Sequence, residues 1–204
     1  MDTTLFLNGV IMGLSIAAPV GPIGVLCIHR TLVQGLIAGL ISGLGAATAD
    51  AIYGCIAGLG LTFVSNFLVS QQIWLRFIGG LFLSYLGLKI LLTKPTKQSV
   101  LVTDNDLMNA FTSTFLLTIT NPMTIIAFMA IFAGWGSING NYVSASILVL
   151  GIFIGSALWW FILSSSVSLF RKRFNSYGLR WINWISGTII IGFGWFILVG
   201  VHSI

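Results

Sequence analysis

The residue in this sequence best placed to do chemistry is Asp50, a carboxylate inside a long apolar stretch. Residues 34–63 contain no other charged side chain. A carboxylate within a membrane span costs roughly 2.5–3.5 kcal/mol even on the lenient insertion scale, so such residues usually serve a function. We therefore expect Asp50 to relay protons or to contact a cation. The alternative is a purely structural hydrogen bond.

Helical geometry predicts the direction in which Asp50 points. At about 100° per residue, Gly39, Gly43 and Gly54 fall within about 40° of Asp50 on one face of a helix. Gly35 begins this stripe at a spacing of four residues. Because small residues at that spacing allow helices to pack closely, Asp50 is predicted to face neighbouring helices and not lipid. The same stripe is also compatible with the interface of a homo-oligomer.

Two apolar stretches carry prolines about fifteen residues after they begin. The first break has the sequence Ala-Ala-Pro-Val-Gly-Pro over residues 17–22, and the second has Thr-Asn-Pro over residues 120–122. Proline removes a backbone donor and clashes with the carbonyl one turn earlier, and lipid cannot hydrate the groups that this frees. Such breaks therefore favour a binding site near the middle of the membrane, where freed carbonyls and helix N-termini can hold a charged or zwitterionic solute. The alternative is that the prolines only kink helices for packing. The predicted substrate-binding residues are Pro19, Gly21, Pro22, Asn121 and Pro122.

The elements that position these residues are membrane-spanning helices. Hydrophobic residues make up 57% of the 204 positions and charged residues 6%, whereas soluble domains carry roughly 25% charge. A span needs about 20 apolar residues to cross the hydrocarbon core. The start of the chain lacks the positive region of a cleaved signal peptide. We predict an all-α membrane protein whose six spans cover approximately residues 5–28, 34–63, 69–92, 107–133, 142–168 and 179–202.

A polar segment at residues 94–106 divides the six spans into two sets of three. Three is an odd number, so the second set enters the membrane from the opposite side and the halves form an inverted repeat. The sequence predicts repeats at 1–93 and 107–204 in one transmembrane domain, with broken helices 1 and 4. Spans 3 and 6 also share glycines seven residues apart, at Gly80 and Gly87 and at Gly187 and Gly194. Asp104 and Asp106 are predicted to cap the fourth span.

The net charge of +5 reflects topology and not an acidic partner. Eight of the nine basic residues fall at alternate links between spans, and only Arg76 falls on the other side. By the positive-inside rule, the 94–106 linker is cytoplasmic and both termini lie outside. Nucleic-acid binding, which needs a soluble basic face, is not expected. The eight residues are Arg30, Lys89, Lys94, Lys97, Arg171, Lys172, Arg173 and Arg180.

No residues support a metal centre, a cofactor or hydrolytic catalysis. His29 and His202 lie at opposite ends of the chain, and no Ser-His-Asp set or HExxH motif is present. We therefore expect no enzyme activity and no cofactor. Cys27 and Cys55 are interpreted as small buried apolar residues. The alternative function is a transmembrane thiol electron carrier that uses these two cysteines, although such carriers should have one cysteine in each half.

Three motifs in order resemble the LysE/RhtB family of amino-acid exporters. They are the Ala-Pro-x-Gly-Pro run of span 1, the glycine-rich stretch that ends at Asp50 in span 2, and Asn121-Pro122 followed by Phe128 in span 4. The resemblance covers nearly the whole chain. It implies a carrier in the bacterial inner membrane that exports amino acids or related small metabolites, driven by protons. Its functional residues map onto Pro19, Gly21, Pro22, Asp50, Asn121 and Pro122.

The sequence departs from the family pattern directly after the second break. Family members often have lysine after Asn-Pro, and here that position is Met123. A fixed cation near the crossing point is therefore missing. If that lysine holds a substrate carboxylate in the family, this protein must use helix dipoles or another donor instead; the alternative is a neutral or different solute. Tyr53, one turn past Asp50, and Met123 and Phe128, close to the second break, are predicted as pocket candidates.

Overall fold

The computed structural model describes residues 2–19, 21–58, 67, 70–93, 103–135, 142–171, 173–174 and 176–199. Within these ranges the chain forms eight α-helices. The helices are α1 (Asp2–Ala17), α2 (Pro22–Val33), α3 (Leu36–Gly58), α4 (Gln72–Leu92), α5 (Asp104–Ile119), α6 (Pro122–Trp135), α7 (Tyr142–Arg171) and α8 (Ser176–Val199).

The prolines break the chain where the sequence predicts. The axes of α1 and α2 meet at 83°, and those of α5 and α6 meet at 59°. Helices α3, α4, α7 and α8 are each long and apolar enough to cross a membrane, and six spans result if each bent pair counts as one. The protein is therefore an all-helical membrane protein with four to six spans in its described part.

Helix α5 begins at Asp104, three residues before the predicted start of the fourth span at residue 107. Thr103 is the residue that caps α5: its side chain accepts a hydrogen bond from the Asp106 backbone N–H, and the Asp106 carboxylate accepts one from the Thr103 backbone N–H. This reciprocal pair is a capping box. Asp104 and Asp106 therefore belong to the first turn of the helix and do not precede it. Residues 94–102 lie outside the described part of the chain.

The helices pack in pairs that join the two halves of the chain. The most extensive contacts are between α1 and α7, α4 and α8, α3 and α7, and α3 and α5. Glycines allow two of these close approaches. A Cβ on Gly9 or Gly13 of α1 would overlap backbone atoms of α7, and the glycines of α4 and α8 face each other, Gly80 against Gly194 and Gly87 against Gly187. The glycines that are seven residues apart in spans 3 and 6 therefore lie in a single interface, between α4 and α8.

The links that follow α2, α4 and α7, which the sequence predicts on a common side of the membrane, lie at one end of the bundle. The Arg171 side chain, at the end of α7, donates to the carbonyls of Leu32 and Val33 at the end of α2. Near the start of α8, the Asn183 side chain donates to the carbonyl of Thr93, which follows α4. The ends of α2, α4 and α7 therefore lie close together.

Gly35 does not extend the packing stripe of α3. It forms the turn between α2 and α3 with a φ of 110°, a conformation that residues with a Cβ rarely adopt. The close packing begins at Gly39, where a Cβ would overlap the Thr31 side chain of α2, and continues at Gly43 and Gly45.

Candidate functional site

A cavity of about 60 Å³ lies where the first break meets the second. Its wall combines residues of α1 and α2, two small or acidic positions on α3, polar residues around the second break and one tryptophan of α7. The described lining residues are Ile16, Ala17, Pro19, Gly21, Pro22, Ile23, Gly24, Ala46, Asp50, Thr118, Asn121, Thr124 and Trp160.

Five of the residues predicted from the sequence come together in this cavity. Pro19, Gly21 and Pro22 line it from the first break, Asn121 lines it from the second, and Asp50 lines it from α3. These positions span about half of the chain length in sequence. Their convergence requires that the two breaks lie side by side in the bundle.

Asp50 is buried, with 3% of its surface exposed, and its hydrogen bonding is well defined. The Ser156 hydroxyl of α7 donates to Asp50 Oδ2 at 2.6 Å. The Trp160 indole Nε1 in turn donates to the Ser156 oxygen at 3.2 Å. Because the serine hydrogen is already committed to the carboxylate, the serine oxygen is free to accept from the indole. The chain of bonds runs from the indole through the hydroxyl to the carboxylate.

The glycine stripe of α3 is what brings Trp160 to this site. A Cβ on Gly43 would overlap the Trp160 side chain, so any larger residue would push the indole away. Ser156 and Trp160 were missed in the sequence analysis. The signal for them was available in Gly151-x3-Gly155 of α7, a small-residue motif directly before Ser156 and one turn before the Trp159-Trp160 pair.

The remaining predicted site residues lie outside the described lining of the cavity. Tyr53 and Phe128 are buried in a neighbouring apolar cluster with their rings 5.4 Å apart. The Tyr53 hydroxyl donates to the carbonyl of Ile119, the last residue of α5, and so satisfies a carbonyl at the second break. Met123 is 66% exposed. Pro122 is the first residue of α6.

The N-termini of the two helices that follow the breaks differ in side-chain capping. Gly21 is the N-cap of α2, and no side chain caps that end. At the second break the Asn121 carbonyl oxygen Oδ1 accepts from the Met123 backbone N–H at 3.2 Å, and Asn121 Nδ2 donates to Thr124 Oγ1 at 3.0 Å. Helix N-termini carry partial positive charge and unpaired N–H groups that attract anions. At the first break the N–H groups of α2 therefore remain available to the cavity. At the second break Asn121 already bonds one N–H group of α6.

Arg30 is not the loop residue that its position in the sequence predicts. It lies within α2 and is buried, with 9% of its surface exposed. Its guanidinium donates to the hydroxyls of Ser42 and Ser113 and to the carbonyl of Ala110, at 2.6–2.9 Å. Its position after the predicted end of span 1 predicts a residue in a link between spans. In the structure Arg30 instead joins α2 to α3 and α5.

His29 and the cysteines form no metal or redox centre in the described part of the chain. His29 Nε2 lies 2.9 Å from Asn183 Oδ1. Cys27 is buried in the main apolar cluster, Cys55 is partly buried, and both are free thiols. No group of three His, Cys, Asp or Glu side chains among the described residues could hold a metal ion.

Comparison with known proteins assigns the family. The sequence profile of the LysE type translocators matches residues 14–200. The chain belongs to the LysE type translocator family. It is 30% identical over 203 residues to a Bacillus subtilis protein named "Putative amino acid efflux protein YcgF", covering 94% of each chain. This places it among membrane translocators and lends no support to a thiol electron carrier.

Two further relatives are membrane proteins of similar length. One is the uncharacterized membrane protein slr1627 of Synechocystis, 25% identical over 170 residues and covering 81% of each chain. The other is the uncharacterized membrane protein YrhP of Bacillus subtilis, 27% identical over 181 residues, covering 83% of this chain and 86% of the relative. No solved structure matches the chain.

Proposed function

We propose that this protein is a secondary transporter that exports amino acids or related small metabolites across the bacterial cytoplasmic (inner) membrane in exchange for protons. The observation that carries the proposal is the cavity in which both helix breaks meet Asp50. Broken helices that converge near a membrane midplane are the usual construction of a transporter site. The amino-acid efflux named for the Bacillus relative supports the same substrate class.

Asp50 is the proton-coupling residue in this proposal. It is a carboxylate on the wall of the cavity, and it is held by only one hydroxyl donor in the described structure. Protonation removes the charge that makes burial of a carboxylate unfavourable, so a buried carboxyl group can change its charge during transport. Pro19, Gly21, Pro22, Asn121 and Pro122 form the substrate-binding breaks around it.

We also propose an inverted repeat of residues 1–93 and 107–204, which is consistent with the four most extensive helix contacts. If α1–α2 corresponds to α5–α6, α3 to α7, and α4 to α8, exchange of the halves turns the α1–α7 contact into the α5–α3 contact. The α3–α7 and α4–α8 contacts are unchanged by this exchange. The gathering of the ends of α2, α4 and α7 supports a common cytoplasmic side for their links, with both termini outside.

The cavity must widen during transport. Its volume of about 60 Å³ is well below the roughly 300 Å³ at which small-molecule pockets begin. At roughly 10–15 Å³ per water, it has room for a few water molecules. An amino acid can therefore enter only if the helices around the breaks separate, as alternating access requires.

The test is a comparison of extracellular metabolites between cells that lack the protein and cells that overproduce it. We expect one amino acid, or a closely related metabolite, to accumulate outside the overproducing cells and to be retained by the deletion strain. Purified protein in vesicles should then move that solute. Identical extracellular metabolites in both strains, with no solute movement in vesicles, would reject the exporter function.

A further inference from the structure

The cavity is lined by groups of opposite electrostatic character. Asp50 supplies a carboxylate, and the uncapped N-terminus of α2, at Gly21 to Gly24, supplies partial positive charge. No basic side chain occurs among the described residues of its wall. A solute that fits this wall carries a positive group and a negative group, as a zwitterionic amino acid does.

The carboxylate of Asp50 has capacity left for a ligand. Ser156 donates to Oδ2, while Oδ1 accepts no hydrogen bond from the described residues. Asp50 is nevertheless buried, with only 3% of its surface exposed. The bond to Oδ2 leaves Oδ1 able to accept from a ligand, a proton or water. Asp50 lines the cavity at the two breaks.

Trp160 adds an aromatic residue to the wall that contains Asp50. Its indole N–H is bonded to Ser156, which in turn donates to Asp50, so the indole is held in one orientation. An aromatic face attracts an ammonium group through its quadrupole, most strongly where water is excluded. Carboxylate and indole together are suited to a protonated amine.

We propose, resting on the exporter function above, that Asp50 Oδ1 and Trp160 bind the ammonium group of the exported amino acid, with the solute carboxylate at the N–H groups of the first turn of α2. Proton and solute then compete for one carboxylate. When protonated Asp50 receives an ammonium group, the Asp50 proton leaves to solvent and the ion pair replaces the O–H bond. Exchange of one proton for one solute follows from this competition.

Binding to the purified full-length protein tests this assignment. The probes are the twenty protein amino acids, each compared with its N-acetyl derivative, which has no ammonium group, and with its α-amide, which has no carboxylate. We expect at least one free amino acid to raise the thermal midpoint, since a ligand that binds only the folded state stabilises it. The corresponding N-acetyl derivative and amide should give no shift at the same concentration.

Variants separate this role from a purely structural one. Asp50→Asn should abolish the shift, while Asp104→Asn, the same change at an exposed position of α5, should keep it. Trp160→Leu, which removes the aromatic ring, should weaken binding by roughly two- to thirtyfold, the factor expected for loss of about 0.5–2 kcal/mol of cation–aromatic attraction. If Asp50→Asn fails to fold, the wild-type protein can still test the assignment. At a pH where Asp50 is protonated, binding of the amino acid should release a proton, which an indicator dye in weak buffer reports.

Two outcomes would overturn the assignment while leaving the exporter function in place. One is that a solute is transported in vesicles and its N-acetyl derivative stabilises the protein as well as the free amino acid does. The other is retention of the full thermal shift in folded Asp50→Asn protein. A protein that moves no solute in vesicles would instead reject the exporter function itself.

Discussion

The two half-helices that follow the breaks are held in the bundle in different ways. Polar bonds hold the C-terminal part of α2: Arg30 joins it to α3 and α5, His29 contacts Asn183 of α8, and Arg171 of α7 binds its last carbonyls. In α6, every residue from Ile125 to Gly134 is apolar. Since hydrogen bonds are directional and apolar contacts are not, we expect α6 to shift against its neighbours more easily than α2 does.

The breaks also differ in what they offer a solute. The N-terminus of α2 has no capping side chain, so its N–H groups remain available at the cavity. The N-terminus of α6 is capped by Asn121. We therefore expect the first break to bind the anionic group of the solute, and α6 to move more than α2 while Asn121 still lines the site.

The largest expected effect on stability comes from the anchor of α2. Arg30→Ala removes three hydrogen bonds from a charged donor, each worth roughly 1.5–3 kcal/mol, offset in part by relief of the buried charge. We expect the free energy of unfolding in detergent to fall by about 2–4 kcal/mol. Arg180→Ala, the same change at an exposed position of α8, is the control and should leave the unfolding midpoint nearly unchanged. Equal stability of the two variants would show that Arg30 does not anchor α2.

A smaller loss of stability is expected at the second break. Asn121→Ala removes the cap of α6 and the bond to Thr124, and loss of an N-cap costs about 0.5–2 kcal/mol. Thermal unfolding of the purified protein measures the change. Gly21→Ala at the first break is the matched variant, because a Cβ there meets no atom within 4 Å and no side-chain cap is lost. The account of the breaks is wrong if Gly21→Ala destabilises the protein as much as Asn121→Ala does.

The smallest change in stability, with a clear effect on transport, is expected for Gly21→Ser. Gly21 has the extended φ of −102° and ψ of −166° that suits an N-cap, so a serine hydroxyl can bond to the first-turn N–H groups of α2. Stability should rise by a few tenths of a kcal/mol. Transport in vesicles should fall about tenfold or more, because the hydroxyl occupies donors worth roughly 1.5–3 kcal/mol to a carboxylate. A stabilised variant with full transport would exclude these N–H groups from binding.

Most of the fold follows from hydropathy and proline placement. Spans need about 20 apolar residues, so the apolar helices and their approximate ends are visible in the sequence, while the structure supports four to six spans. The start of α5 was misplaced because a run of polar residues at a helix start is also typical of a loop; the capping box of Thr103 and Asp106 lacks the usual Glu or Gln at its third position. Arg30 was assigned to a link because hydropathy gives no information on whether a cation has polar partners inside the bundle.

The site was predicted in part for a similar reason. A lone acidic residue and two proline breaks are conspicuous in an apolar chain, and Asp50, Pro19, Gly21, Pro22 and Asn121 do share one cavity. Ser156 and Trp160 are common residue types in membrane helices, and their role depends on the contact between α3 and α7. The Gly151-x3-Gly155 motif indicates a close-packing face next to these residues, but a single sequence does not say which distant helix packs against that face.

The central claim is that Asp50 couples protons to export, and its most direct test is efflux from vesicles with and without an imposed pH gradient. Wild-type protein and the Asp104→Asn control should export the solute found in the metabolite comparison faster when the gradient is imposed. Asp50→Asn should fold, because an amide can still accept the Ser156 bond at the same position. Its efflux should show no response to the gradient. A wild-type response in Asp50→Asn vesicles would contradict the account.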